Sequence, residues 1–181
     1  GFNRLSLGIQ DLDPDVQKAV NRVHDLARVS GILGAARAVG FESISVDLIY
    51  GLPLQTTEAF ARTIEQVIEM RPDRISLFNY AHMPERFKAQ RRIRAEDLPS
   101  PSVKLALFRN SLNRLLDAGY EFIGMDHFAL PDDDLARAHR DGTMTRNFQG
   151  YSTRAGLDLL GFGPSAIGQV GDSFAQNHRA L

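Results

Sequence analysis

An amide at a strand end, a guanidinium after a helix and a carboxylate within a strand are the residues here that could do chemistry: Gln10, Arg22 and Asp47. Asp47 lies inside Ile44-Ser45-Val46-Asp47-Leu48-Ile49-Tyr50, a run that otherwise predicts a fully buried strand ending at the turn Gly51-Leu52-Pro53. A carboxylate in such a strand loses several kcal/mol of hydration unless a cation or hydrogen-bond donors replace it. Two readings are open. In the commoner one Arg22 neutralises Asp47 as a structural ion pair; in the other Asp47 faces a hollow that holds a ligand. Arg grips carboxylates bidentately, while Gln and Asp hydrogen-bond ribose hydroxyls, so the trio suits a ligand with hydroxyls and a carboxylate. The readings are compatible, because a ligand-binding Arg often needs a carboxylate to hold it.

The elements that must position these residues alternate. A strand near Arg4–Ile9 ends at Gln10, and Asp13 caps a helix with Pro14 in its first position. A second helix places Leu26, Val29, Leu33 and Ala36 on one face and stops at Gly40. The Asp47 strand follows, then a helix capped by Thr56 or Thr57, then a strand over 74–80. Apolar strands separated by helices mean a parallel sheet, either an open doubly wound sheet or part of a (β/α) barrel. Ligands in such folds sit at the C-terminal ends of the strands, where Gln10 lies and where Ala81 follows the third strand. Beyond Tyr80 come a basic stretch (Arg86, Lys88, Arg91, Arg92, Arg94) and a Ser100-capped helix whose expected core face is Leu105, Phe108, Leu112 and Leu115. A short strand at 120–124 and a short helix at 132–141 precede a glycine-rich remainder with strands near 157–160 and 166–170.

Composition excludes several function classes. With 21 Lys+Arg against 22 Asp+Glu there is no global basic field for nucleic acid, and no run approaches a membrane span. Cysteine is absent, which removes disulfides, thiolate catalysis and cysteine-ligated metal centres from this chain. It lacks an initiating Met and starts almost within a strand, so it reads as a fragment with upstream sequence missing.

Gly8-Ile9-Gln10-Asp11, Val20-Asn21-Arg22, Asp47-Leu48-Ile49-Tyr50-Gly51-Leu52-Pro53 and Asn79-Tyr80-Ala81-His82 resemble radical S-adenosylmethionine (SAM) enzymes of the coproporphyrinogen group. Gly124-Met125-Asp126-His127-Phe128-Ala129 and Arg146-Asn147-Phe148-Gln149-Gly150-Tyr151 narrow the resemblance to the oxygen-independent coproporphyrinogen III oxidases. It extends over essentially the whole chain.

The resemblance implies an α/β fold: the second half of a partial (β/α)6 radical SAM barrel with additional strands and helices extending the sheet. Residues 1–81 would be later β/α units of the barrel, and 82–181 the sheet extension and substrate-side elements. It also implies oxidative decarboxylation of two propionates of coproporphyrinogen III to vinyls, in a cytoplasmic enzyme that is a monomer at full length, with an electron donor and an electron acceptor as further partners. Two SAM molecules are expected, with contacts mapping onto Gln10, Arg22, Asp47, Ala81 and Ile167, and Phe148, Gln149 and His127 are candidates on the substrate side. The family's four-iron four-sulfur (4Fe-4S) cluster is bound by a CxxxCxxC motif that is absent here, so the chain alone is expected to be inert in radical chemistry. The alternative is a haem-binding relative on the same scaffold.

Blander readings stand beside these. The basic stretch is more often a solvated face, His127 beside Asp126 is as well explained as a structural histidine, and Asp132-Asp133-Asp134 reads as a helix start favoured by the macrodipole. An aldolase would need a strand-borne Schiff-base lysine, and Lys18, Lys88 and Lys104 all lie outside the expected strands.

Overall fold

The computed structural model describes residues 2–147 and 150–179, which fall into two compact units, 1–136 and 137–181. The first contains β1 (Arg4–Gln10), α1 (Pro14–Ala19), α2 (Leu26–Ala38), β2 (Ser43–Tyr50), α3 (Thr57–Met70), β3 (Arg74–Asn79), α4 (Pro101–Asp117), β4 (Glu121–Gly124) and β5 (His127–Ala129). Local chemistry sets the helix starts. The Asp13 carboxylate accepts from the amides of Asp15 and Val16 ahead of Pro14, the Thr56 hydroxyl from Ala59, and the Ser100 hydroxyl from Val103. At the end of α3, Arg71 adopts the left-handed region at φ +48° and closes the last turn on the Ile68 carbonyl.

One five-stranded sheet runs in the order β1-β2-β3-β5-β4. The first three strands are parallel, and β5 is antiparallel to both of its neighbours. The strand β5 was not anticipated, because its three residues are too short to show a period. It inserts between β3 and β4 after the turn at Gly124 and Met125.

Helices α2, α3 and α4 bury Val29, Leu33, Phe60, Ile64, Val67, Leu107 and Leu115 in one core with the sheet side chains Ile44, Val46, Leu48, Ile75 and Leu77. The β2 side chains therefore alternate: Ile44, Val46 and Leu48 are fully buried, while Ser45, Asp47 and Ile49 are only half-buried. This corrects the expectation of a fully buried strand. The register Ser-Ile-Ser-Val-Asp-Leu is period two, and Asp47 belongs to the polar face. On α4 the expected Phe108, Leu112 and Leu115 do pack into or against the core, and only Leu105 departs from expectation. Leu107, Ser111 and Leu115 point inwards while Leu105 is 68% exposed. Ser111 tolerates burial by donating its hydroxyl to its own helix, at the Leu107 carbonyl.

The N-terminal ends of the strands are tied by one carboxylate. Asp133 accepts from the Ser43 hydroxyl at 2.7 Å, the Arg74 Nε at 2.8 Å and the Leu135 amide at 2.7 Å. The acidic triplet thus starts α5 (Asp134–Arg140), as expected, and also anchors the first residues of β2 and β3.

In the second unit, β6 (Thr145–Asn147) pairs with β7 (Gly150–Ser152) and β8 (Ile167–Val170) with β9 (Ser173–Gln176), both antiparallel. The strand expected near 157–160 reduces to one bridge, Leu159 to Gln169. Gly161 is required there: a Cβ would stand 2.6 Å from the Ile167 carbonyl oxygen.

Candidate functional site

One row crosses the sheet on the face away from α2–α4. Gly8 in β1 is level with Asp47 in β2, Asp47 with Ser76 in β3, and Ser76 with His127 in β5. Neighbouring strands lie about 4.8 Å apart, so Gly8 and His127 are separated by roughly 14 Å along this row. His127 meets the Phe78 ring edge-on at 6.0 Å between centroids.

Gly8 is the centre of the arrangement. A Cβ built on it would meet Gln10 Nε2 at 2.5 Å and Arg22 Nη2 at 3.6 Å, so an amide and a guanidinium both lie over the bare backbone of Gly8, next to the Asp47 position. Among the described residues no ion pair joins Arg22 to Asp47; the carboxylate takes a 3.3 Å hydrogen bond from the Ser6 hydroxyl, and Arg22 is exposed. The structural ion pair is thus not what brings the two together. Each keeps a charge that no salt bridge among the described residues neutralises.

Gln10 reaches Gly8 through unusual backbone. It has φ +68°, and the Asp11 amide donates to the Ile9 carbonyl at 2.9 Å across it, which is a γ-turn of the rare positive-φ kind. The β1–β2 register slips by one residue at the same point. Strain of this type costs of order 1–3 kcal/mol and concentrates at ligand sites. A cleft of about 600 Å³ runs along β1, lined by Ser6, Gly8, Arg22, His24, Asp25 and Arg28 among others, with Gln10 and Asp47 outside its lining. That volume falls in the range of roughly 300–1,000 Å³ usual for small-molecule sites. The His24 Nε2 in its wall is buried with no hydrogen-bond partner among the described residues.

Residues 1–67 match the radical SAM superfamily. The chain is 58% identical over 177 residues to oxygen-independent coproporphyrinogen III oxidase of Pseudomonas aeruginosa, covering 98% of this chain and 38% of that protein. It is 54% identical over 181 residues to the protein of the same name from Escherichia coli, covering all of this chain and 40% of that one. The solved structure of coproporphyrinogen III oxidase from Escherichia coli, a radical SAM enzyme, superposes with a TM-score of 0.93 over 99% of this chain and 42% of that one. This chain is homologous to oxygen-independent coproporphyrinogen III oxidase. It spans about 40% of the length of these relatives.

Of the residues that the resemblance implies, Gln10 and Arg22 lie over Gly8, and Asp47 stands level with Gly8 on the neighbouring strand. Ala81 lies just past the C-terminal end of β3, exposed, with its carbonyl accepting from Gln90 Nε2 at 3.0 Å. Ile167 opens β8 in the second unit, half-buried and level with Gln176. Phe148 and Gln149 lie outside the described residues. Sequence reasoning missed Gly8, although a glycine inside a strand signals close approach of another group.

Gly8→Ala tests the arrangement. The clashing atom is the free end of the flexible Gln10 side chain, and Gly8 has no left-handed φ, so the fold should tolerate the methyl. The melting temperature is expected to stay within a few degrees while SAM affinity of the full-length protein falls about as far as in Gln10→Ala, roughly fivefold for one lost hydrogen bond. Equilibrium dialysis measures this, and unchanged affinity in Gly8→Ala would remove Gly8 from the site.

Proposed function

We propose that this chain is the SAM-holding, substrate-side portion of an oxygen-independent coproporphyrinogen III oxidase, which converts two propionates of coproporphyrinogen III to the vinyls of protoporphyrinogen IX in the cytoplasm. The observation that carries this reading is that Gln10 and Arg22 lie over Gly8, level with Asp47 on the neighbouring strand. SAM bears an amino-acid carboxylate, a ribose diol and an adenine, which answer a guanidinium, a carboxylate and an amide. Residues 1–81 serve as later β/α units of the barrel and 82–181 as its extension, within one catalytic domain that is a monomer at full length. A second SAM beside Ile167 is part of the same proposal.

The residues fit SAM. They do not fit the 4Fe-4S cluster, which needs thiolates that this chain lacks. In the whole enzyme SAM, given one electron by a cluster held on thiolates outside this chain, would supply methionine and a deoxyadenosyl radical for hydrogen abstraction from a propionate β-carbon; loss of carbon dioxide would then leave the vinyl, with one electron passing to a separate acceptor. This chain's residues bind and orient. Arg22 holds the carboxylate of the amino-acid end, Asp47 holds the ribose with its own carboxylate steadied by Ser6, and Gln10 fixes the third side. His127, in the same row against Phe78, is the candidate proton donor beside the porphyrinogen, with Phe148 and Gln149 as further substrate-side candidates. Among the described residues no helix is long and apolar enough to cross a membrane.

Basic side chains beside the loop after α1 support a polycarboxylate substrate. Lys88 and Arg92, on a short 3₁₀ turn, line a cleft of about 420 Å³ with Ala19, Val20 and Asn21, and neither forms an ion pair among the described residues. Lys88→Ala with Arg92→Ala in the full-length protein is expected to weaken binding of coproporphyrin III about tenfold, as two exposed charge contacts would. Affinity equal to the parent protein would assign those residues to solvent. The reading as a whole is tested by anaerobic turnover of the full-length protein after iron–sulfur reconstitution; failure to release carbon dioxide from coproporphyrinogen III would refute it. The isolated chain, carried through the same reconstitution, should show no cluster absorbance.

A further inference from the structure

Asp11 is 1% exposed, and its carboxylate collects bonds from three separate stretches of chain. One oxygen accepts from the Thr63 hydroxyl at 2.6 Å and the Asp13 amide at 2.9 Å; the other accepts from Gln55 Nε2 at 2.6 Å. Gln55 in turn accepts, through Oε1, from the amides of Gly51 at 2.6 Å and Leu52 at 3.0 Å, and its Nε2 also donates to the Ile49 carbonyl. The Asp11 carbonyl accepts from Gln17 Nε2 at 3.0 Å, and Gln17 Oε1 accepts from the His24 amide at 3.1 Å. The Arg22 amide donates to the Gln17 carbonyl at 2.9 Å. One buried polar network therefore joins the end of β1, the turn after β2, helix α3 and the loop that carries Arg22.

We infer that Asp11, held by Gln55 and Thr63, is a positioning residue for the SAM site: it clamps the strained turn that aims Gln10 over Gly8 and ties the Arg22 loop to the same frame. Both Asp11 carboxylate oxygens are taken by protein donors, so its effect reaches the ligand only through Gln10 and Arg22. The physical reason for a clamp is the φ of +68° at Gln10, a conformation that a non-glycine residue keeps only when its neighbours over-determine it. Buried networks of this kind are stiff when every member is satisfied, and each donor and acceptor at Asp11 has a partner. This inference rests on the SAM reading above.

Asp11→Asn keeps the acceptor that faces Thr63 and sets an amide donor against the Gln55 donor at 2.6 Å. In the full-length protein this variant is expected to bind SAM roughly tenfold more weakly, the order of loss that follows when a site is misplaced by a fraction of an ångström. Thr63→Val, which removes one donor to Asp11, should weaken binding in the same direction, and Thr63→Ser, which keeps the hydroxyl, should restore it. The decisive comparison is with Gln10→Ala. On that background Asp11→Asn should weaken binding by no more than about threefold, because there is no longer a Gln10 side chain to misplace. A role in folding alone would lower the melting temperature by the same amount on both backgrounds and leave no coupling in affinity. If the parent protein binds SAM but Asp11→Asn binds it equally well, or loses the same factor with and without Gln10, the clamp is overturned and the cofactor reading stands. If the full-length parent fails to bind SAM, both fall together.

Discussion

Asp133→Ala is expected to remove about 3–5 kcal/mol of stability, the usual cost of taking one partner from a buried ion pair. The Asp133 and Arg74 side chains are only 3% and 16% exposed. Burial pulls the Arg74 guanidinium below its ordinary pKa and Asp133 pulls it back up, so the carboxylate compensates a charge that has been taken out of water. Arg74 Nη2 is already buried without a partner among the described residues. Losing Asp133 would also strand the Ser43 hydroxyl and the Leu135 amide. Asp133→Asn should cost less, because it keeps an acceptor, and Arg74→Met combined with Asp133→Leu should recover much of the loss by removing both charges. Urea denaturation followed by circular dichroism measures all three. Because these residues sit at the N-terminal ends of β2 and β3, SAM affinity of the folded variants should be unchanged. A shift below 1 kcal/mol for Asp133→Ala would show that water reaches the pair.

What could be read from the sequence and what could not divide by the reach of the interaction. The starts of α1, α3 and α4 were legible because Asp13-Pro14, Thr56 and Ser100-Pro101 act within three residues of themselves. The parallel order of β1, β2 and β3 was legible from strands alternating with helices. The burial of β2 was misjudged, although the alternation Ser43 to Leu48 was present, because Ile49 and Tyr50 extend the run past its period. Gln10, Arg22 and Asp47 could be nominated by residue type and by resemblance, and the structure sets the first two over Gly8, level with the third. Asp11 could not be nominated. Its partners Gln55 and Thr63 lie 44 and 52 residues away, and a carboxylate after a strand looks the same in sequence whether it faces solvent or a buried amide. The same limit hid Asp133, which meets Ser43 across 90 residues.

Arg22→Ala in the full-length protein should weaken SAM binding by about 10- to 150-fold, the range set by losing hydrogen bonds of roughly 1.5–3 kcal/mol to a charged group. Stability should hardly move. The Arg22 side chain is exposed and in no ion pair among the described residues, so its removal leaves no buried charge behind, and its amide bond to the Gln17 carbonyl is untouched by the substitution. Arg22→Lys separates geometry from charge. A lysine ammonium keeps the attraction for a carboxylate but cannot present two parallel N–H groups, so its affinity should fall between those of the parent and the alanine variant. If Arg22 instead served to neutralise Asp47, Lys would restore binding fully, and Asp47→Asn would relieve the Arg22→Ala defect. The absence of an ion pair between the two argues that neither will happen. Titration calorimetry of the four proteins, at one salt concentration because exposed charges are screened, distinguishes these outcomes. Unaltered affinity in Arg22→Ala would mean that the guanidinium over Gly8 does not meet the cofactor.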